Sequence, residues 1–78
     1  MAGFFVFSGE LLRKAREAQD KPLEQLALEI GRTANAIVRY ETGHGQPSIA
    51  TLGALGAALG VDPRDLLVED DDLEAATP

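Results

Sequence analysis

The sequence contains no cysteine and no tryptophan, and His44 is its single histidine. Disulfide bonds and thiolate zinc sites are therefore excluded, and one histidine offers too few ligands for a metal site. We predict no metal and no other cofactor. The apolar run at residues 4–7 is too short for a signal peptide or a membrane span. We therefore expect a cytoplasmic protein that is not associated with a membrane.

An excess of positive charge is also missing. Seven Lys and Arg residues against thirteen Asp and Glu residues give a net charge of −6. Five of the acidic residues lie within residues 69–78, so residues 1–68 carry seven basic and eight acidic side chains. Proteins that bind nucleic acids obtain much of their affinity by neutralising phosphates with Lys and Arg. Composition alone therefore argues against nucleic-acid binding.

Hydrophobic periodicity predicts helices through most of the chain. Ser8, Thr33 and Ser48 are suitable N-cap residues, and Pro22 suits the first position of a helix. We expect Ile49 to face inward with the leucines of the fourth helix, and Gly53 and Gly56 to mark close backbone packing. The expected helices are residues 8–19, 22–30, 34–42 and 49–59, with a short fifth helix from Pro63 that carries Leu66 and Leu67.

No strand pattern follows residue 7, and nothing repeats at a fixed period. We therefore predict an all-α fold of five helices forming one domain, residues 8–68. An apolar segment, residues 1–7, precedes this domain. An acidic tail, residues 69–78, follows it and is expected to be disordered, because it has few large apolar residues.

Residues 23–43 carry the most informative pattern. A helix-turn-helix needs a small residue where its helices touch, a glycine in the turn and a branched apolar residue in the second helix. Ala27, Gly31 and Ile37 occupy the fifth, ninth and fifteenth places of a twenty-residue unit that begins at Leu23. This spacing predicts two helices that meet through a short turn.

Over residues 8–68 the sequence resembles the lambda-repressor/Cro (XRE-type) helix-turn-helix family. The matching residues are Leu26-Ala27 in the second helix, Glu41 and Gly43 at the end of the third, Pro47 before the fourth, and Leu59-Gly60-Val61 after it. The resemblance also implies a buried structural ion pair between Arg16 and Glu41. It implies the fold just described and sequence-specific binding of double-stranded DNA by a transcriptional regulator.

In this family the second helix of the unit lies in the major groove. The resemblance implies base contacts from Ala34, Asn35, Val38 and Arg39. It implies contacts to the DNA backbone from Lys21, Arg32, Thr33, His44, Gln46 and Ser48. Because Pro22 and Leu23 replace the polar cap and the glutamine of many relatives, phosphate anchoring is expected to be weaker here.

Two further questions stay open on the sequence. The protein could instead be a protein-interaction module that uses the same fold, a hypothesis that the acidic charge favours. We do not expect an enzyme, because the sequence has no nucleotide-binding loop and no paired carboxylates in an evident pocket. The acidic tail could simply aid solubility, or it could compete with DNA for the basic surface.

The bulky N-terminal segment also has two interpretations. It could fold back onto the first and fifth helices, or it could lie between two subunits of a homodimer, as a strand paired across a twofold axis. The residues assigned to that dimer contact are Phe4, Phe5, Val6, Phe7, Leu66 and Leu67.

Overall fold

The computed structural model describes residues 4–70 of the chain. Its elements, in chain order, are strand β1 (Phe4–Phe7), helices α1 (Gly9–Ala18), α2 (Leu23–Ile30), α3 (Ala34–Thr42) and α4 (Ile49–Leu59), a 3₁₀ helix (Pro63–Leu66) and strand β2 (Leu67–Asp70). Within this part of the chain, no helix is long and apolar enough to cross a membrane. Most of the acidic tail, residues 71–78, lies outside the described residues.

Side-chain caps fix where three of the helices begin, as the sequence predicts. The hydroxyl groups of Ser8, Thr33 and Ser48 each accept a hydrogen bond from the backbone N–H three residues later, at 3.1 Å. The left-handed residues that end α2, α3 and α4 are Gly31, Gly43 and Gly60.

Two predicted details of the helices are wrong. Pro22 lies in the N-cap position of α2, not in its first turn, and it supplies no side-chain cap because it has no acceptor atom. The fifth helix is a four-residue 3₁₀ helix that ends before Leu67. The chain turns there because Ser8 donates a hydrogen bond from its backbone N–H to the carbonyl of Leu66 at 2.9 Å, which draws the following residues alongside β1.

The hydrophobic core draws on every helix. Its buried residues are Leu12, Leu26, Ala27, Ile37, Leu55, Leu59 and Leu66. Ile49, predicted to face inward, is 90% exposed. The buried face of α4 instead follows a spacing of four residues through Thr51, Leu55 and Leu59, and this face turns away from Ile49.

Only one of the two glycines within α4 marks close packing. A Cβ on Gly56 would lie 2.8 Å from the carbonyl oxygen of Val61 and 2.8 Å from Cγ of Pro63, so the chain after α4 folds tightly over it. A Cβ on Gly53 would meet no atom within 4 Å. The expectation of close packing is therefore confirmed for Gly56 and wrong for Gly53.

The all-α prediction requires a correction, because β1 and β2 form an antiparallel two-stranded sheet. Phe4 lies opposite Asp70, Phe5 opposite Glu69, and Phe7 opposite Leu67. The first two residues of the expected disordered tail are therefore part of a strand. Acidic residues have low β propensity and the partner strand is at the other end of the chain, so no local pattern indicates this pairing.

Candidate nucleic-acid interface

Helices α2 and α3, joined by a three-residue turn, form the helix-turn-helix unit. Gly31 has the positive φ of 70° that the turn requires, and the backbone N–H of Arg32 donates to the carbonyl of Ala27 at 2.8 Å. Ala27 and Ile37, the small and the branched residue expected at the helix contact, are both buried. The geometry implied by the spacing of these residues is therefore present.

An ion pair holds the C-terminal half of α3 against α1. Arg16 Nε lies 2.6 Å from Glu41 Oε2, and Arg16 Nη2 lies 3.1 Å from Glu41 Oε1. The third nitrogen of the guanidinium donates to the carbonyl of Lys21 at 2.9 Å. The hydrogen bond to Glu41 raises the pKa of Arg16, against a smaller opposing effect of burial. A two-point contact of this kind fixes the orientation of α3 relative to α1.

Two further contacts hold the same end of α3. Gly9, the first residue of α1, lies directly against the backbone of α3: a Cβ there would be 2.6 Å from the carbonyl oxygen of Glu41 and closer still to that of Tyr40. The rings of Phe7 and Tyr40 meet edge to face, with centroids 6.4 Å apart. The C-terminal half of α3 is thus packed on two sides.

The opposite face of α3 is open. Asn35, Val38 and Arg39 are exposed, and Ala34 at the start of the helix is half-buried. Arg39 Nη2 donates to the carbonyl of His44 at 3.1 Å, which keeps the guanidinium close to the loop after α3. The structure thus leaves three of the four predicted base-contacting residues accessible on one helix face.

Thr51 joins two of the residues that are predicted to contact the DNA backbone. Arg32 Nη2 donates to Thr51 Oγ1 at 3.1 Å, and Ser48 Oγ donates to the same oxygen at 3.0 Å. The guanidinium of Arg32 therefore lies beside the N-terminus of α4, where backbone N–H groups also favour an anion. Thr51 is not among the residues predicted from the sequence, although its position three residues after a capping serine is a usable signal.

The other residues predicted to contact the DNA backbone have different surroundings. Gln46 and His44 are exposed in the loop after α3, and His44 Nδ1 lies 2.9 Å from Thr42 Oγ1. Thr33 is exposed, and its hydroxyl already caps α3. Thr42 lies on the open side of α3 at its C-terminal end and is not among the residues predicted from the sequence.

Lys21 is not available for the predicted contact with the DNA backbone. Its ammonium lies 2.6 Å from Glu29 Oε1 and donates to the carbonyl of Ala58 at 2.8 Å, so it bridges α2 and α4. The side chain is mostly buried. A phosphate would have to replace both partners, and Lys21 is therefore better explained as a structural residue. One of its two partners, Ala58, lies 37 residues away in the chain, so no local sequence pattern could indicate that contact.

The residues predicted to form the dimer contact divide into a buried and an exposed group. Leu66 is 1% exposed and belongs to the core, so it cannot contact a second subunit as predicted. Phe7 packs against the core and lies opposite Leu67 in the sheet. Phe4 and Phe5 are 59% and 68% exposed. The N-terminal segment thus folds back in part, by pairing with β2, and leaves its first two aromatic rings accessible.

Comparisons with known proteins agree with this geometry. The sequence profile of the helix-turn-helix family matches residues 12–66. The restriction-modification controller protein C.AhdI from Aeromonas hydrophila is 31% identical, with a TM-score of 0.72 over 74% of this chain and 88% of that one. The P22 c2 repressor, solved in complex with a synthetic operator, is 31% identical, with a TM-score of 0.74 over 80% of this chain and 94% of that one.

A third similar structure belongs to a longer chain. HppE, solved with CoII and substrate, is 28% identical with a TM-score of 0.72, and the match spans 77% of this chain but 34% of that longer one. In the portion of the present chain that the structure describes, no group of three His, Asp or Glu residues is placed to hold a metal ion. No curated protein sequence is similar enough to this chain to count as a relative.

Proposed function

The chain belongs to the helix-turn-helix family of the lambda-repressor type, and from this membership we propose that it binds specific sequences in double-stranded DNA and regulates transcription. Helix α3 enters the major groove, with its N-terminal half against the base edges. The observation that carries the proposal is the open face of α3, formed by Asn35, Val38 and Arg39, on a helix whose other side is fixed by the pair of Arg16 with Glu41.

Each residue on this face has a contact that suits its chemistry. Arg39 can donate two hydrogen bonds to O6 and N7 of a guanine, and Asn35 can pair with N6 and N7 of an adenine. Ala34 and Val38 can contact the methyl group of a thymine. The hydrogen bond from Arg39 to His44 occupies one of the five guanidinium N–H groups and leaves the others for a base.

The DNA backbone is held on both sides of α3. Arg32, held beside the N-terminus of α4 by Thr51, binds one phosphate there, and Ser48 joins this contact when its hydroxyl proton turns from Thr51 to the phosphate. Thr33, His44 and Gln46 supply the remaining backbone contacts. Lys21 is removed from this set, because Glu29 and Ala58 already occupy its ammonium.

We further propose that two copies act together on one DNA site in the cytoplasm. A single recognition helix makes too few base contacts for useful specificity, and paired helices read two half-sites about one helical turn apart. A dimer therefore supplies the second α3.

A second candidate function is that of a protein-interaction module on the same fold. The net charge of −6 and the exposed rings of Phe4 and Phe5 favour it, because both features suit a protein partner better than a phosphate backbone. A fold shared by a repressor and by part of HppE does not choose between the two functions.

Selection of bound duplexes from random-sequence DNA tests the proposal. We expect enrichment of one motif with two half-sites, and an affinity for that motif that falls linearly with salt concentration on a logarithmic scale. A scrambled duplex of the same length is the control for non-specific binding. Absence of enrichment, together with no measurable binding at low salt, would reject DNA binding and favour the interaction module.

A further inference from the structure

One edge of β1 has no strand beside it in residues 4–70. The sheet has two strands, and β2 pairs with β1 on one side only. Phe4 and Phe5 are more than half exposed on this strand. An apolar strand with a free row of backbone N–H and C=O groups is a template for pairing with another strand. The free edge of β1 is therefore a candidate surface for pairing with a second strand.

The exposed rings of β1 lie on both faces of the sheet. Residues directly opposite each other in an antiparallel pair share a face, and successive residues of a strand alternate between the faces. Phe5 therefore shares the face on which Phe7 packs against the core, but its own ring is 68% exposed. Phe4 shares the other face with Val6 and Val68, and Phe4 and Val68 are exposed there. Each face thus presents an exposed aromatic ring of β1.

Charge decides which edge a second copy would use. Strand β1 has no charged residue, whereas β2 contains Glu69 and Asp70 and is followed in sequence by Asp71 and Asp72. Pairing β2 with β2 of another copy would bring two strands of like charge together, and like charges opposite each other destabilise a sheet. Pairing β1 with β1 brings no like charges together.

We propose that two copies of the chain associate by pairing β1 with β1, antiparallel, across a twofold axis. The result is a four-stranded sheet with the strand order β2–β1–β1–β2. At about 4.8 Å between strands, the two acidic β2 strands are about 14 Å apart on the outer edges. Charged outer edges resist further strand addition, so the assembly closes at two copies.

This interface leaves the reading face of α3 free. Phe7, the last residue of β1, contacts Tyr40 near the C-terminal end of α3, while Asn35 lies at the opposite end of that helix. The need for a second α3 rests on the proposed DNA binding, whereas the choice of surface rests on exposure, strand register and charge.

Single introduced cysteines test the strand arrangement, because the native sequence has no cysteine to interfere. A disulfide requires Cα atoms closer than about 7 Å, a condition met near the twofold axis of a β1–β1 pair but not between the outer strands. We expect mild oxidation to cross-link Phe4→Cys, Phe5→Cys or Val6→Cys into a covalent dimer. Val68→Cys on β2 is the matched control and should stay uncross-linked. Cross-linking through Val68→Cys, or none at residues 4–6, would overturn the proposal.

Sedimentation equilibrium without DNA measures the same interface independently. We expect the native chain to sediment as two copies, and Phe4→Glu to raise the dimer dissociation constant about tenfold or more, as expected for replacing an aromatic contact of the interface by a charge. Ile49→Glu, at an exposed residue on α4, makes the same charge change away from β1 and should leave the constant unchanged. A native mass of one copy, a mass well above two, or equal effects of the two variants would overturn the proposal.

The experiments can reject the proposed DNA binding and the proposed β1–β1 interface separately. A chain that dimerises through β1 but enriches no DNA motif would retain this interface and reject DNA binding. A chain that binds a DNA motif but stays monomeric in solution and gives no β1 cross-link on the DNA would retain the function and reject the interface.

Discussion

The two faces of α3 differ in how they are held. On the inner face, Glu41 is paired with Arg16 and only 8% exposed, and Gly9 lies directly against the helix backbone. On the outer face, Asn35 and Arg39 are exposed. The same helix is thus part of the core on one face and an open surface on the other. Substitutions on the two faces should therefore affect different measurements, stability for the inner face and DNA affinity for the outer one.

The largest effect is expected for Glu41→Ala. This change leaves the guanidinium of Arg16 without its carboxylate in a mostly buried site, and we expect a loss of about 3 kcal/mol, near the lower end of the range for breaking a buried pair. Urea unfolding of the native and variant proteins measures it. Glu24→Ala, at an exposed residue of α2, is the control and should change stability little. Equal unfolding midpoints for all three proteins would show that the pair does not hold α3.

Gly9→Ala should be the next most harmful change. Its Cβ would fall too close to two backbone carbonyls of α3, so α1 and α3 must move apart, at an expected loss of about 1–3 kcal/mol. Gly53→Ala is a matched control in open space within α4, and helix propensity there predicts a gain of about 1 kcal/mol. Thermal unfolding should move the two variants in opposite directions. A shift of the same sign in both would contradict the close packing at Gly9.

Arg39→Ala tests the contribution of the open face of α3 to DNA affinity. We expect a loss of about 1–3 kcal/mol in affinity for a selected DNA site, with relaxed preference at one base position and no change in unfolding temperature. Fluorescence anisotropy with the selected duplex and its single-base variants measures this. Arg13→Ala on α1 removes the same charge outside the helix-turn-helix unit and serves as the control. If both variants lose the same affinity, Arg39 contributes only charge.

The smallest effect is expected at the phosphate contacts. Arg32→Ala should reduce the slope of log affinity against log salt by about 1, since one phosphate contact is lost. Lys21→Ala removes the same charge, but its ammonium is already bound to Glu29 and Ala58, so the slope should stay unchanged. Anisotropy titrations at four or more salt concentrations give both slopes. A reduced slope for Lys21→Ala would restore it to the DNA backbone contacts.

The sequence predicts most of the helical framework and the face of α3. Thr33 caps α3 through a hydrogen bond to Ala36 only three residues away, and Gly31 turns the chain by its own φ angle. Contacts this local leave a pattern in a short window of sequence. The helix spacing likewise predicts that Asn35 and Arg39 lie on an exposed face, because a helix repeats every 3.6 residues.

The errors at Lys21 and Leu66 arise because the partner of each residue is distant in the chain. Lys21 looks like a free cation until α4 brings the carbonyl of Ala58 to it. Leu66 looks suited to a dimer contact until the 3₁₀ helix turns it into the core. In each case the side chain has the chemistry for two roles, and only the packing of other elements selects one.

By itself, the sequence determined the ends of α1, α3 and α4, the helix-turn-helix unit and the identity of the side chains on α3, because capping, glycine turns and helical periodicity act over a few residues. The tertiary structure alone decided that β1 pairs with β2, that Thr51 joins Arg32 to Ser48, and that Lys21 is withdrawn from the surface. These outcomes depend on bringing together segments far apart in the chain, whose loop-closure entropy is offset only when the whole core forms.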